Sequence, residues 1–85
     1  MIHRDVVVGH AQGIHALVAH DLARQAERFR SSIFLRTPEG SASLRSVVEV
    51  VALALPYGAK VSVWVDGTDE AEALDAIALH LSSST

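Results

Sequence analysis

The apolar residues of this 85-residue chain change their spacing from stretch to stretch, and that changing period limits the folds open to it. From Ile2 to Val8 they alternate, with Ile2, Arg4, Val6 and Val8 on one side and His3, Asp5 and Val7 on the other, which predicts a strand. From Ala16 the step lengthens to three and four. Ala19, Leu22, Ala23, Ala26 and then Phe29 or Arg30 make one stripe, Asp21, Arg24, Gln25 and Arg28 face the other way, and a helix is expected over residues 16–29. Alternation returns in residues 32–36, where Ile33 and Leu35 oppose Phe34. The turn residues Thr37-Pro38-Glu39-Gly40 then lead into a short third strand ending at Leu44, so these two strands should form a hairpin. Residues 47–53 are an apolar segment stopped by Pro56 and Gly58, and their valines leave helix and strand both open. Lys60 to Asp66 alternates again as a fourth strand. Thr68 or Asp69 is placed to cap a last helix with Ala71, Leu74, Ile77, Ala78 and Leu81 as its buried stripe. One domain over residues 1–81 and a short disordered serine-rich tail over 82–85 are expected.

Composition narrows the function classes. There is no cysteine, so neither a disulfide framework nor a thiolate metal site supports the fold, and packing alone must do so. A net charge of −3 argues against a general nucleic-acid binder. No apolar run is long enough to cross a bilayer, and the charges in Ile2-His3-Arg4-Asp5 occupy the place of a signal peptide's apolar region, so a cytoplasmic protein without stable membrane association is expected. Arg24, Arg28, Arg30, Arg36 and Arg45 are spread among the elements expected to flank residues 9–16, where they could attract an acidic partner.

Gly9-His10-Ala11-Gln12-Gly13-Ile14-His15-Ala16 places a histidine on a glycine-jointed loop just ahead of the first helix. The first amides of a helix lack intrahelical acceptors and carry the positive end of its dipole, so an anion on the His15 ring would meet ready donors. His15 reads as a phosphoryl acceptor. His10, His15 and His20 recur every five residues, which does not bring ligands onto one helical face, and no carboxylate or thiol pattern completes a set, so no metal site is expected. His3 and His80 read as solvated surface residues.

Gly13-Ile14-His15-Ala16 resembles the active-centre signature of HPr, the histidine phosphocarrier family of the bacterial sugar phosphotransferase system. Arg45-Ser46-Val47-Val48-Glu49-Val50-Val51-Ala52-Leu53-Ala54-Leu55 is similar to the family's second signature, a short helix opened by a serine, and decides residues 47–53 for helix. Gly58-Ala59-Lys60-Val61-Ser62-Val63 and Gly67-Thr68-Asp69-Glu70-Ala71-Glu72-Ala73-Leu74 follow with the family's spacing. The resemblance implies an α+β fold of order βαββαβα, an open-faced sandwich whose four-stranded, mostly antiparallel sheet is covered on one face by three helices. A ferredoxin-like module is the structural alternative. It further implies a non-enzymatic phosphocarrier with no cofactor of its own. Phosphorylated enzyme I would be the donor, with magnesium and phosphoenolpyruvate acting upstream, and a sugar-specific enzyme IIA or a regulatory protein the acceptor. His20, Val47, Val48 and Val51 match the family's docking patch, although a valine stripe is equally the inner face of a short helix.

The sequence departs from the family pattern where an arginine and a proline usually follow the small residue. Leu17 and Val18 stand there instead. The family's arginine is held to neutralise the phosphohistidine, and a charge-assisted hydrogen bond is worth about 1.5–3 kcal/mol, so its loss slows transfer by roughly one to two orders of magnitude. The backbone amides of Ala16 and Leu17 remain to face the phosphate, with Arg24 considered as a cation reaching from two turns along. A binding module that kept the fold and the histidine but lost efficient transfer is the second functional reading. The resemblance also carries regulatory phosphorylation to Ser46. Yet Ser46-Val47-Val48-Glu49 has the form of a reciprocal capping box, with the Ser46 hydroxyl accepting from the residue 49 amide and the Glu49 carboxylate from the residue 46 amide. A structural cap explains the serine without a kinase, and Glu49 would repel a phosphate there.

Overall fold

A computed structural model describes residues 1–84, in which alternating periods become β1 (Ile2–Val7), α1 (Ala16–Ala26), β2 (Ser32–Thr37), β3 (Gly40–Ser43), α2 (Val47–Ala52), β4 (Lys60–Asp66) and α3 (Glu70–Ser82). The strands form one sheet in the order β1-β4-β2-β3 with every neighbouring pair antiparallel. This is the expected βαββαβα open sandwich. Val61, Val63 and Val65 of β4 are buried with Ile33 and Leu35 of β2 and Val6 of β1, while the alternate residues face away from the helices. Leu22 and Ala26 of α1, Val50 of α2, and Leu74, Ile77 and Leu81 of α3 close the core from the other side. Arg4 lies on that helical side at the sheet edge, where its guanidinium donates to Asp75 of α3 over 2.9 Å.

The structure departs from the sequence reading at the end of α1, at the cap and buried stripe of α3, and at the C-terminal end of α3. Helix α1 stops at Ala26 rather than near Phe29, because Arg28 and Phe29 turn their amides to the carbonyls of Gln25 and Ala26 three residues back. The tighter turn drops a half-buried Phe29 against the core and feeds Ser31 toward α3. Asp69 is the N-cap residue of α3 but makes no side-chain cap bond. Its carboxylate accepts instead from the Arg30 and Ser31 amides and the Ser31 hydroxyl, at 2.9, 3.1 and 2.6 Å. The α3 stripe is also shifted: Ala71 is exposed and Ala73 is fully buried in its place. Ser82, expected in the tail, closes α3, and its hydroxyl donates to the Ala78 carbonyl over 2.9 Å. Thr85 lies outside the described residues.

No helix among the described residues is long and apolar enough to cross a membrane.

Candidate functional site around His15

His15 is the N-cap residue of α1. Its backbone is extended (φ −83°, ψ −178°), its carbonyl accepts from the Ala19 amide over 2.9 Å, and its side chain makes no cap bond and is exposed. The ring is therefore presented at the start of the helix instead of being consumed in capping it. No acidic residue occupies the first turn, so nothing there opposes an anion.

What holds the loop is a set of backbone contacts that begins at Gly13. Its φ of +76° is a left-handed conformation, and the Gly13 amide closes a turn onto the His10 carbonyl over 2.9 Å. Ile14 is then driven into the core, 4% exposed, and its amide donates to the Leu55 carbonyl over 2.8 Å. The segment after α2 thus pins the residue before His15. Ala54, with φ +52°, makes the reversal that aims Leu55 there, at the position past a helix end where left-handed backbone is common. At the far side of the loop, buried His10 donates its Nε2–H to the His80 carbonyl at the end of α3 over 2.7 Å. Neither anchor was singled out in the sequence. Pro56 and Gly58 signalled a break near Leu55, but nothing in a pattern of side chains announces a carbonyl acceptor.

The other expected site residues separate into groups. Leu17 projects from the first turn of α1, 73% exposed, with exposed His20 one turn on. On α2, which packs against α1, Val50 is the buried residue and Val47 is half-buried against the core, whereas Val48 and Val51 are exposed. The valines are thus divided between the inner face and the surface.

The arginines do not gather at His15. Arg24 sits in the last turn of α1, about 12 Å along the axis from Ala16 at 1.5 Å per residue, and lines a cleft of about 570 Å³ with Asp21, Gln25, Arg28 and His80. The expectation that it reaches an anion on His15 is not met by this arrangement. Arg36 lies over the Trp64 ring on the far face of the sheet, and Arg45 is tied by its guanidinium to the carbonyls of Phe29 and Ser31, both at 3.0 Å.

The expected reciprocal cap at Ser46 is only half formed. Ser46 Oγ accepts from the Glu49 amide over 3.2 Å, as expected, but Glu49 Oε1 accepts from the Ser43 amide over 3.0 Å. The Ser46 amide was already committed to the Ser43 carbonyl at 3.0 Å, which leaves the carboxylate free to satisfy the strand end instead. Of the recurrent histidines, His10 is buried while His15 and His20 are exposed. His80 is half-buried rather than solvated, and its Nδ1 lies 3.4 Å from the Gln25 amide.

The comparisons with known proteins agree with this geometry. A family model described as the PTS HPr component phosphorylation site matches residues 2–83. The phosphocarrier protein HPr of Lysinibacillus sphaericus is 42% identical over 69 residues, which cover 81% of this chain and 78% of that protein. That of Mycoplasma pneumoniae is 36% identical over 73 residues, covering 85% and 83%. Among solved structures, the phosphocarrier protein HPr from Bacillus anthracis superposes with a TM-score of 0.90 at 26% identity, covering 94% of this chain and 95% of its own. With the βαββαβα sheet topology and the matched signature on one chain, this protein belongs to the HPr family.

Proposed function

We propose that the chain is a phosphocarrier of the phosphotransferase system, acting in the cytoplasm, with His15 as the residue that is transiently phosphorylated. The observation that carries the reading is the exposed His15 ring at the N-cap of α1, on a loop pinned by the Leu55 carbonyl. In the transfer, an unprotonated ring nitrogen of His15 attacks the phosphorus of phosphorylated enzyme I. A new N–P bond forms as the donor's N–P bond breaks, and the donor imidazole leaves with the electron pair. The amides of Ala16 and Leu17 and the start of the α1 dipole oppose the negative charge. An enzyme IIA domain or a regulatory protein then takes the phosphoryl group by the same step in reverse roles. The chain carries the group and turns over no substrate by itself. His20, Val48 and Val51, with Val47 at their border, offer the docking surface, and Ser46 serves as a helix cap.

One observation favours a second reading. The first turn of α1 presents exposed Leu17 and no cation, as a binding module that had lost efficient transfer would. Incubation with enzyme I and labelled phosphoenolpyruvate separates the two. The carrier reading expects acid-labile, alkali-stable label that is lost in His15→Ala. It also expects faster labelling in Leu17→Arg, by roughly one to two orders of magnitude if a full charge-assisted contact is regained. Absence of label even at high enzyme I concentration would establish the binding module.

A further inference from the structure

The helix-free face of the sheet carries side chains that transfer at His15 does not use. Strand register sets His3, Trp64 and Phe34 in one row across β1, β4 and β2, and Asp5, Ser62 and Arg36 in the next. The His3 and Trp64 rings stack with centroids 4.2 Å apart and 14° between their planes, and the Arg36 guanidinium carbon lies 4.8 Å from the Trp64 ring centroid. Phe34 is 40% exposed beside them. Asp5, Arg36, Pro38, Lys60, Ser62 and Trp64 line a cleft of about 350 Å³ on this face.

The mixture of groups narrows the ligand. A bare inorganic anion would leave the indole unstacked and the Asp5 carboxylate without a donor. A purely apolar ligand would dehydrate Arg36, Lys60 and Asp5 without pairing them. All are satisfied by a molecule with a planar ring for Trp64, an anionic group for the two cations, and hydroxyl or amino donors for Asp5. We propose that this cleft binds a nucleoside phosphate, the base stacked on Trp64, the phosphate held by Arg36 and Lys60, and a ribose hydroxyl or exocyclic amino group donating to Asp5. In the free protein the guanidinium covers the indole. On binding, the base takes that place and Arg36 turns to the phosphate. The cleft is shallow and open to solvent, so it would hold one face of a mononucleotide rather than enclose it. The net charge of −3 opposes a longer polyanion.

Trp64 is the only tryptophan, so its fluorescence reports the cleft directly. Titration with adenosine monophosphate, excited outside the adenine absorption, should give a saturable change, matched by shifts of the His3 ring and Trp64 indole proton resonances. Adenosine alone should bind more weakly. Arg36→Ala and Lys60→Ala should each weaken binding by about tenfold, the loss of one charge-assisted contact, while labelling of His15 by enzyme I stays unchanged. That independence keeps failure here distinct from failure of the carrier reading. The proposal is overturned by the absence of a saturable response in both readouts. An equal response to inorganic phosphate alone would overturn it too, as would binding of a single-stranded oligonucleotide without binding of the mononucleotide.

Discussion

Replacing Gly13 with alanine tests whether the His15 loop is held by backbone geometry rather than by side chains. Two costs are separable. A residue with a Cβ at φ +76° loses about 1–2 kcal/mol to left-handed strain, of which about 0.4–1 kcal/mol is offset because alanine restricts the unfolded chain. The added Cβ would also stand 2.5 Å from the Leu55 carbonyl oxygen and 3.0 Å from Pro56 Cα, both backbone atoms that a rotamer change cannot move. Relief requires the Leu55 carbonyl to retreat from the Ile14 amide, which is bonded to it over 2.8 Å inside the core, and a buried unpaired amide costs about 1–3 kcal/mol. The expected destabilisation is therefore about 2–4 kcal/mol, or a Tm drop of roughly 10 °C or more for a domain of this size. Gly58→Ala is the internal control. Its φ of +83° carries the same strain, but nothing lies within 4 Å of the added Cβ, so it should cost only about 1 kcal/mol. Urea unfolding followed by Trp64 fluorescence and far-ultraviolet circular dichroism gives both values. Equal losses in the two variants would refute the reasoning, because the contact with Leu55 would then count for nothing.

Other expectations follow from the caps. Ser46→Ala should lower stability by about 0.5–2 kcal/mol in urea melts, and because Ser46 and Glu49 bond different amides, combining it with Glu49→Ala should be additive within about 0.5 kcal/mol. Strong coupling would restore the reciprocal cap. Ala54→Gly should stabilise by about 0.5–1 kcal/mol, since it removes the strain of φ +52° at the loss of some unfolded-state restriction, and a lower Tm would contradict this. The Ser31 hydroxyl, then the Arg30 amide, hold the Asp69 carboxyl below its usual range. Its contribution is complete above the unfolded-state pKa and is lost as the pH falls through the lower folded value. Asp69→Asn should flatten the acid limb of a Tm against pH curve; an unaltered limb would show that these bonds do not favour the ionised form.

The fold was legible because its main signals are repetitive. Three strands and two long helices announce themselves by period and the short β3 by the turn before it, and β4, with three consecutive inward valines, was placed to the residue. Helix α2 is six residues of which four are valines, and there period and propensity disagreed; resemblance decided it. The misses share a different cause. Ala71 and Ala73 are two residues apart in a helix where alanine is common, so composition could not fix the phase. Asp69 and Glu49 were read as local caps because sequence shows neighbours along the chain, whereas their partners Ser31 and Ser43 arrive through the fold. At the site, His15 and its helix start were visible, but the Leu55 carbonyl and the His80 carbonyl that fix the loop belong to the backbone of distant segments.

Leu17 bears on equilibrium as well as rate. A cation that touched the phosphoryl group only in the transition state would raise the forward and reverse rates equally and leave the phosphorylated fraction unchanged. One that also paired with the phosphohistidine would stabilise the carrier's phosphorylated state and weaken its tendency to give the group away. With Leu17 exposed in the first turn and Arg24 two turns off, the amides and dipole of α1 are the neutralising groups within the loop's reach, and both are fixed before the phosphate arrives. If His15 is the phosphoryl carrier proposed above, such a site should hold the group weakly and favour onward transfer. Leu17→Arg should therefore raise the labelled fraction at equilibrium with phosphorylated enzyme I, besides speeding the approach to it. A faster approach to an unchanged fraction would show that the position acts on the transition state alone. A slower approach would mean that docking partners require an apolar side chain there.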